Sequence, residues 1–131
     1  MIKKISHIGL AVEDLEKARV FFREKFALSV LERECFGELL FSFISLEGTD
    51  MELLQSTTID GQIAKFIEKK GQGIHHIAFE VDDIQPELDR LKRKGVRLIN
   101  EMPYVNAHED LVAFLHPKST FGVLVELIQK K

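Results

Sequence analysis

The chain has 131 residues, of which 45% are hydrophobic and 30% charged, and its formal net charge at pH 7 is −3. This length suits one compact globular domain, and no apolar run approaches the ~20 residues that span a bilayer. No basic cluster is longer than Lys92-Arg93-Lys94, so the charge pattern excludes an ordinary nucleic-acid-binding surface. The lone cysteine, Cys35, and an N-terminus without a signal peptide predict a cytoplasmic protein that needs neither disulfides nor a membrane.

The first half of the chain reads as one strand, one helix and three more strands. Branched and apolar residues predict a strand over 4–12, after which Glu13 or Asp14 can cap a helix whose apolar face steps by three or four residues. Further strands are predicted over 28–33, 38–45 and 51–56, separated by turn residues.

The second half repeats this order after a short connector. In the connector, Asp60 can cap a helix that stops at Gly71, and Asp83 can cap the next helix. The predicted strands of this half are 74–81, 96–100, 111–115 and 123–128. The pattern predicts an α+β fold of two β-α-β-β-β modules within a single domain, with module one about 1–58, a connector 59–72 and module two about 73–131.

Two short segments recur in the two halves. When His76 is superimposed on His7, a shift of 69 positions, Ile77 falls on Ile8 and the acidic pairs that follow the two strands coincide. The last strands also match, with Met51-Glu52-Leu53-Leu54-Gln55 against Val125-Glu126-Leu127-Ile128-Gln129. Each module therefore offers one histidine on its first strand and one glutamate on its last.

The four repeated residues have the chemistry of a metal site. His7, Glu52, His76 and Glu126 lie among Ile, Val and Leu, where an unpaired carboxylate is costly to bury. Two imidazoles and two carboxylates suit Zn, Co, Ni, Mn or Fe(II). The alternative is two hydrogen-bonded core histidines with two glutamates at strand ends. The symmetric recurrence favours the metal site.

The other histidines give weaker indications. His75 must point to the opposite face of its strand from His76, which favours a structural role or a subunit contact. His108 lies in a polar loop and is expected to be solvated. The loop that begins at His116 contains Lys118 and Ser119, which could bind a substrate phosphate or form an ordinary turn.

The modules resemble the vicinal oxygen chelate superfamily, in which paired β-α-β-β-β units form an open, cupped mixed sheet around a metal. Within it, five segments are similar to methylmalonyl-CoA epimerases: Met51–Leu54, Ile63–Ile67, Gly73–Ala78, Phe114–Ser119 and Gly122–Leu127. The resemblance implies that His7, Glu52, His76 and Glu126 are the metal ligands, and that in some relatives Gln stands in the place of Glu52. It also implies a homodimer.

The implied activity is that of an isomerase, which removes and returns the α-proton of an acyl-CoA through a metal-stabilised enolate. Glu126 and Glu52 are the candidate acids and bases. Some family members place a further catalytic glutamate where this chain has Leu40, and Glu38, two residues away, is the candidate in reserve. Residues 106–110, Asn-Ala-His-Glu-Asp, replace the Gly-rich loop of these epimerases, and their carboxylates would repel a substrate anion.

Three other functions remain open from the sequence. A glyoxalase I type lactoylglutathione lyase uses the same four ligands on a glutathione adduct. A drug-binding module of the bleomycin-resistance type shares the fold but lacks the metal ligands. An extradiol dioxygenase is disfavoured, because its iron takes two histidines and one glutamate and Glu52 would add a fourth ligand.

Overall fold

A computed structural model describes all 131 residues of the chain, which form three α-helices, one 3₁₀ turn and nine strands. The helices are α1 Leu15–Phe26, α2 Gln62–Lys70 and α3 Ile84–Arg93, and the 3₁₀ turn is Pro117–Ser119. The strands are β1 Ile2–Ala11, β2 Ser29–Val30, β3 Glu34–Phe36, β4 Leu39–Ser45, β5 Asp50–Ser56, β6 Gly73–Val81, β7 Tyr104–Val105, β8 Leu111–Leu115 and β9 Leu124–Gln129. The predicted α+β class is confirmed, and none of the helices has the length and apolar character needed to cross a bilayer.

The chain separates into two compact units, and the first comprises residues 7–75. Its strand order is β2-β4-β5-β1, with β1 parallel to β5 and β4 antiparallel to β5. Helix α1 packs Leu15 against the sheet residues Ile44 and Leu53, and α2 packs Ile63 against Phe41 on the same strands. Alternate residues of β4 therefore serve two apolar clusters, as the period of two predicts.

The second unit comprises residues 1–6 and 76–131. Its strand order runs β6-β9-β8-β7, with β6 parallel to β9 and β8 antiparallel to β9. Helix α3 buries Ile84 and Leu88 against Ala113 and Leu127. The pairing of first strand, last strand and preceding strand is thus the same as in the first unit.

Two predicted strands are shorter or absent, for local reasons. Only Ser29–Val30 of the predicted strand 28–33 forms a strand. The backbone N–H of Leu31 still donates to the Phe43 carbonyl at 2.8 Å, but the Leu31 carbonyl accepts from the Arg19 guanidinium and the Ser42 hydroxyl instead of continuing the ladder. The predicted strand 96–100 forms one isolated bridge, Leu98 to Leu115.

Asn100 explains why the second of these strands does not form a ladder. Its side-chain Oδ1 accepts from the backbone N–H of Phe114 at 2.8 Å, while its own backbone N–H donates to the Phe114 carbonyl. A side chain therefore takes the place of a ladder partner, and β8 pairs instead with the short strand β7.

Segment β3, Glu34–Phe36, is a strand that the sequence pattern did not predict.

The start of α2 differs from the prediction that Asp60 caps it. The N-cap is Gly61, whose missing side chain is replaced by two neighbours. The Ser56 hydroxyl accepts from the backbone N–H groups of Ile63 and Ala64 at 3.0 and 3.1 Å, and Glu38 Oε1 accepts from Gln62 N–H at 3.4 Å. The first turn is capped from β5 and from the residue before β4, which is a tertiary contact that local sequence does not reveal.

Gly61→Ala should destabilise the protein by about 1–3 kcal/mol, because the added methyl group overlaps packed atoms. A Cβ at this position would overlap the Ser56 Oγ and the Glu38 Oε2 and lie 2.6 Å from the Ser56 Cβ. A Gly to Ala change at a compatible site usually stabilises by about 0.4–1 kcal/mol, so the sign is diagnostic. Urea unfolding measures the change, with Gln62→Ala at the exposed next position as the control. A neutral Gly61→Ala variant would contradict the packing described.

Glu87 is a buried carboxylate on α3 with two cationic partners. Arg90 donates two hydrogen bonds to its Oε1, and the Met1 α-ammonium lies 3.2 Å from its Oε2. The hydrogen bond from Arg90 lowers the pKa of Glu87 below its ordinary value of 4.5, and the ammonium lowers it further against the opposing effect of burial.

The Glu87→Gln variant should lose about 1.5–3 kcal/mol of stability at pH 7, the range for a hydrogen bond to a charged group. Since folding lowers this pKa, the contribution is fully present above about pH 4.5 and is lost as the pH falls toward the folded-state value. Urea unfolding of both proteins at pH 7 and at about pH 3 measures the difference. A gap that stays the same at both pH values would contradict an ionic origin.

Candidate metal centre

The first histidine–glutamate pair lies in the unit formed by residues 7–75. His7 on β1 is buried, and its Nε2 lies 3.4 Å from Oε1 of Glu52 on β5. The parallel register pairs Gly9 with Glu52, and residues two apart on a strand share a face, so His7 and Glu52 project from the same side of the sheet. His7 and Glu52 are therefore side chains whose ligand atoms are placed to share a metal ion.

The second pair repeats this geometry in the other unit. His76 on β6 is buried, and its Nε2 lies 3.2 Å from Oε1 of Glu126 on β9. Here the register pairs Ala78 with Glu126, again two residues after the histidine. The two segments that recur in the sequence thus also make the same histidine–glutamate contact in the structure.

Both separations suit two ligands of one ion. Ligand atoms at about 2.1 Å from a common cation are roughly 3.0 Å apart at an octahedral angle and roughly 3.4 Å apart at a tetrahedral angle. The observed 3.4 and 3.2 Å lie in this range. The donor set, one imidazole nitrogen and one carboxylate oxygen in each pair, is suitable for the divalent cations that the sequence predicts.

Each histidine also packs against a phenylalanine of the neighbouring antiparallel strand. His7 meets Phe43 edge to face with ring centroids 5.7 Å apart, and His76 meets Phe114 in the same way at 6.0 Å. Phe43 and Phe114 are the residues that pair with Glu52 and Glu126 in the sheet. Each imidazole therefore has an aromatic ring packed edge to face against it, a contact that sequence inspection missed although both phenylalanines recur at matching places.

A glutamine three residues after each glutamate links the same strand to a helix. Gln55 Oε1 accepts from the backbone N–H of Leu15 at 2.8 Å, and Gln129 Oε1 accepts from that of Ile84 at 2.9 Å. Both donors are the first residues of α1 and α3, where backbone N–H groups have no partner within the helix. The predicted cap Asp14 adds a bond to Lys17 N–H, whereas the predicted cap Asp83 makes no such side-chain bond.

The chain matches a family model described as the glyoxalase/bleomycin resistance protein/dioxygenase superfamily, over residues 6–114. This match covers well over half of the chain. The chain belongs to that superfamily. The resemblance predicted from the repeated strands is therefore confirmed, and so is the class of fold.

The chain is similar in sequence to three named enzymes of known activity class. It is 42% identical to the human mitochondrial methylmalonyl-CoA epimerase over 129 residues, which cover 96% of this chain and 73% of the relative. It is 41% identical to an ethylmalonyl-CoA/methylmalonyl-CoA epimerase of Cereibacter sphaeroides, with 98% and 99% of the two chains covered. A lactoylglutathione lyase of Neisseria meningitidis is 28% identical, with 98% of this chain and 91% of the relative covered. The epimerase relatives confirm the predicted enzyme class, an isomerase.

Comparison with a solved structure of the superfamily tests the predicted fold. A methylmalonyl-CoA epimerase in complex with methylmalonyl-CoA and NH₄⁺ superimposes with a TM-score of 0.91 at 30% identity, covering 99% of this chain and 96% of that chain. The glyoxalase fold predicted from the two modules is thereby confirmed.

The other predicted residues, Glu38, His75 and His108, have local environments of their own. Glu38 sits at the first turn of α2, where one carboxylate oxygen caps the helix and the other, Oε2, is buried without a hydrogen-bond partner. His75 packs edge to face on Phe66 of α2 with centroids 5.0 Å apart, which gives it the structural contact that was expected. His108 is exposed.

The loop of residues 106–110 is held by internal hydrogen bonds, and its carboxylates have partners in the C-terminal segment. Asn106 Oδ1 accepts from the backbone N–H groups of His108 and Asp110, and the buried Asp110 accepts from the backbone of Lys131 at 3.0 Å. The Lys131 ammonium lies 2.7 Å from Glu109. The C-terminal lysine therefore offsets the repulsion that the sequence predicted for a substrate anion near these carboxylates.

Tyr104 is a neighbour of the second pair that the sequence did not indicate. It pairs with Val112 on β8, while Phe114, two residues further, pairs with Glu126, so Tyr104 and Glu126 lie on one face. Partial desolvation raises the pKa of the Tyr104 phenol, although 45% of the residue's surface stays exposed, and the negative charge of Glu126 raises it further. The phenol therefore stays protonated at neutral pH and is a hydrogen-bond donor on that face.

Proposed function

We propose that this protein is a metal-dependent epimerase of methylmalonyl-CoA. The observation that carries the proposal is the buried histidine–glutamate pair that occurs once in each unit with the same register and nearly the same separation. The close epimerase relatives supply the substrate class, an acyl-CoA thioester. A chain that served only as a binding scaffold would have no reason to keep two such pairs buried among apolar residues.

We propose further that His7 with Glu52, and His76 with Glu126, are the ligands for a divalent metal, which is Co, Ni, Mn or Zn. When bound, the cation supplies Lewis-acid stabilisation of the negative charge that develops on the acyl oxygen. The two carboxylates would supply two negative charges, which a divalent cation would offset. Their aromatic neighbours keep the site dry, which strengthens this electrostatic stabilisation.

Epimerisation requires one group that removes the α-proton and another that returns a proton on the opposite face. Glu126 is the proposed base, since its carboxylate is buried beside an aromatic ring and lies on the same face as the Tyr104 donor. Glu52, from the matching place of the other unit, is the proposed partner. Glu38 stays a candidate in reserve, although its carboxylate already caps α2.

The alternative is a lactoylglutathione lyase, which is favoured by one observation, the 28% identical relative from Neisseria meningitidis. It would use the same four ligands on a glutathione adduct. The larger identity to the epimerases makes it the second candidate. A drug-binding module is disfavoured because it would not need the two pairs.

The decisive experiment offers both substrates to the purified protein in deuterated water, with and without added Co or Ni. We expect metal-dependent incorporation of deuterium at the α-carbon of methylmalonyl-CoA and no turnover of the methylglyoxal–glutathione adduct. The opposite preference would establish the lyase. Turnover of neither, by a protein that purifies without a divalent metal, would contradict both enzyme proposals. The homodimer and the cytoplasmic location stay predictions.

A further inference from the structure

We propose that Tyr104 is a specificity-determining residue, whose phenol donates a hydrogen bond to an oxygen of the acyl group that is bound beside Glu126. This inference rests on the proposed function and deepens it, because it names a contact that selects among acyl-CoA thioesters. The contact belongs to a residue outside the two histidine–glutamate pairs.

The register of three strands places Tyr104 near Glu126. Tyr104 on β7 lies opposite Val112 on β8, which lies opposite Ile128 on β9, and Glu126 is two residues before Ile128. Two strand spacings and two residues along the strand put the Cα atoms of Tyr104 and Glu126 roughly 12 Å apart. The two side chains project from the same face and are not hydrogen-bonded to each other. A small acyl group therefore fits between the phenol and the carboxylate.

The hydroxyl of Tyr104 makes no hydrogen bond within the chain. The residue is only half-exposed, and its phenol is close enough to Glu126 for that negative charge to add to the effect of desolvation in raising the phenol pKa. A tyrosine hydroxyl that is partly withdrawn from water ordinarily has a hydrogen-bond partner. The hydroxyl thus contributes nothing to the hydrogen bonding of the fold and is placed to donate to a bound molecule.

The hairpin that carries Tyr104 is held in place on both sides. Within its turn, Asn106 N–H donates to the Asp110 carbonyl at 2.9 Å, and Asn106 Oδ1 accepts from Asp110 N–H at 3.0 Å. Before the hairpin, Asn100 Oδ1 accepts from the backbone N–H of Phe114 at 2.8 Å. The phenol therefore projects from a fixed backbone, which reduces the conformational entropy that is lost when the donor binds a ligand.

The acyl group of methylmalonyl-CoA offers two kinds of acceptor, the thioester oxygen and the free carboxylate. An ionised glutamate has only acceptor oxygens, whereas the protonated phenol of Tyr104 supplies a donor. A site that donates a hydrogen bond rejects an analogue without the acceptor, because the donor is then left unpaired. Tyr104 therefore favours acyl groups that carry an oxygen at this place.

Calorimetry of the Co-loaded protein with malonyl-CoA, acetyl-CoA and CoA without an acyl group tests the contact. We expect Tyr104→Phe to bind malonyl-CoA about tenfold more weakly, which corresponds to the loss of one hydrogen bond to a charged group, and to bind CoA as before. A loss confined to malonyl-CoA identifies the carboxylate as the acceptor, and an equal loss for acetyl-CoA identifies the thioester oxygen. Unchanged affinity for all three ligands, or an equal loss for CoA alone, overturns the inference.

Val105→Ala is the matched control for this experiment. Val105 follows Tyr104 on β7, is exposed and projects from the opposite face, so the variant should bind all three ligands normally. Urea unfolding of Tyr104→Phe should show unchanged stability, because the hydroxyl that is removed has no partner in the fold. Lower stability together with weaker binding would give Tyr104 a structural role and overturn the inference.

Turnover separates this inference from the proposed function. Epimerisation of methylmalonyl-CoA by the unmodified protein, with equal ligand affinities in Tyr104→Phe, would overturn the inference while the epimerase proposal stands. A loss of affinity in Tyr104→Phe that is confined to the acyl-CoA ligands, in a protein that does not epimerise methylmalonyl-CoA, would contradict the epimerase proposal alone.

Discussion

The Glu126→Gln variant should epimerise methylmalonyl-CoA about 10²- to 10⁴-fold more slowly than the unmodified protein while it keeps a bound metal. Gln retains an oxygen that can serve as a ligand but cannot accept the α-proton, and general base catalysis typically contributes a factor of this size. The carboxylate it replaces is buried and 3.2 Å from the His76 imidazole, so no solvent base has direct access to the same position. Stopped assays with each pure epimer measure the rate, and metal content is measured in parallel.

Glu52→Gln is the matched variant, since it makes the same change at the symmetric place. If the two glutamates serve opposite faces of the substrate, each variant should stop epimerisation yet still exchange the α-proton of one epimer in deuterated water. The two variants should prefer opposite epimers. If Glu52 is a metal ligand only, as Gln at its place in some relatives implies, Glu52→Gln should keep its epimerisation rate. An intact rate in Glu126→Gln would remove this residue from proton transfer, and exchange of both epimers by both variants would point to another base, with Glu38 first to be examined.

His7→Ala and His76→Ala should each weaken metal binding by more than about 100-fold, because even partners of metal ligands typically contribute 10- to 100-fold. Each imidazole is buried and lies within 3.4 Å of its glutamate, so water cannot simply replace it in the same geometry. Addition of Co at about 100 times its Kd should stabilise the unmodified protein by about 2.7 kcal/mol and the variants hardly at all. Unfolding curves with and without the metal measure this difference.

The comparison of the two variants tests whether both pairs are metal ligands. His108→Ala, at an exposed position, is the control and should bind metal normally. If His76→Ala loses the metal and His7→Ala retains it fully, His7 and Glu52 are only a polar contact in the core and not metal ligands. Circular dichroism of each variant distinguishes a lost ligand from a lost fold.

The histidine–glutamate pairs were predictable because they lie on strands, where a period of two and a repeated hydrophobic pattern fix the face of each residue. Superposition of His76 on His7 was sufficient to predict which of the two adjacent histidines shares a face with a glutamate. The helices followed from apolar residues spaced by three or four. These features depend on local sequence, which is why the structure contains them as predicted.

The features that were not predicted depend on contacts distant in sequence. The Leu31 carbonyl leaves the ladder because Arg19 and Ser42 bind it, and the start of α2 is capped by Ser56 and Glu38 instead of Asp60. Tyr104 reaches the face of Glu126 only through the register of β7, β8 and β9. Apart from Ser56, which lies seven residues before Ile63, each of these partners is eleven or more residues from the residue it affects, so a short window of sequence does not contain both.

The glutamine caps limit which changes in length the two last strands tolerate. Glu52 and Gln55 are an odd number of residues apart, as are Glu126 and Gln129, so within each strand one side chain projects toward the candidate ligands and the other toward the helix. Insertion or deletion of a single residue between them would turn one of the two to the wrong face. Natural and engineered length variation in this fold is therefore expected in the turns, while the two residues between glutamate and glutamine remain fixed in number in both halves.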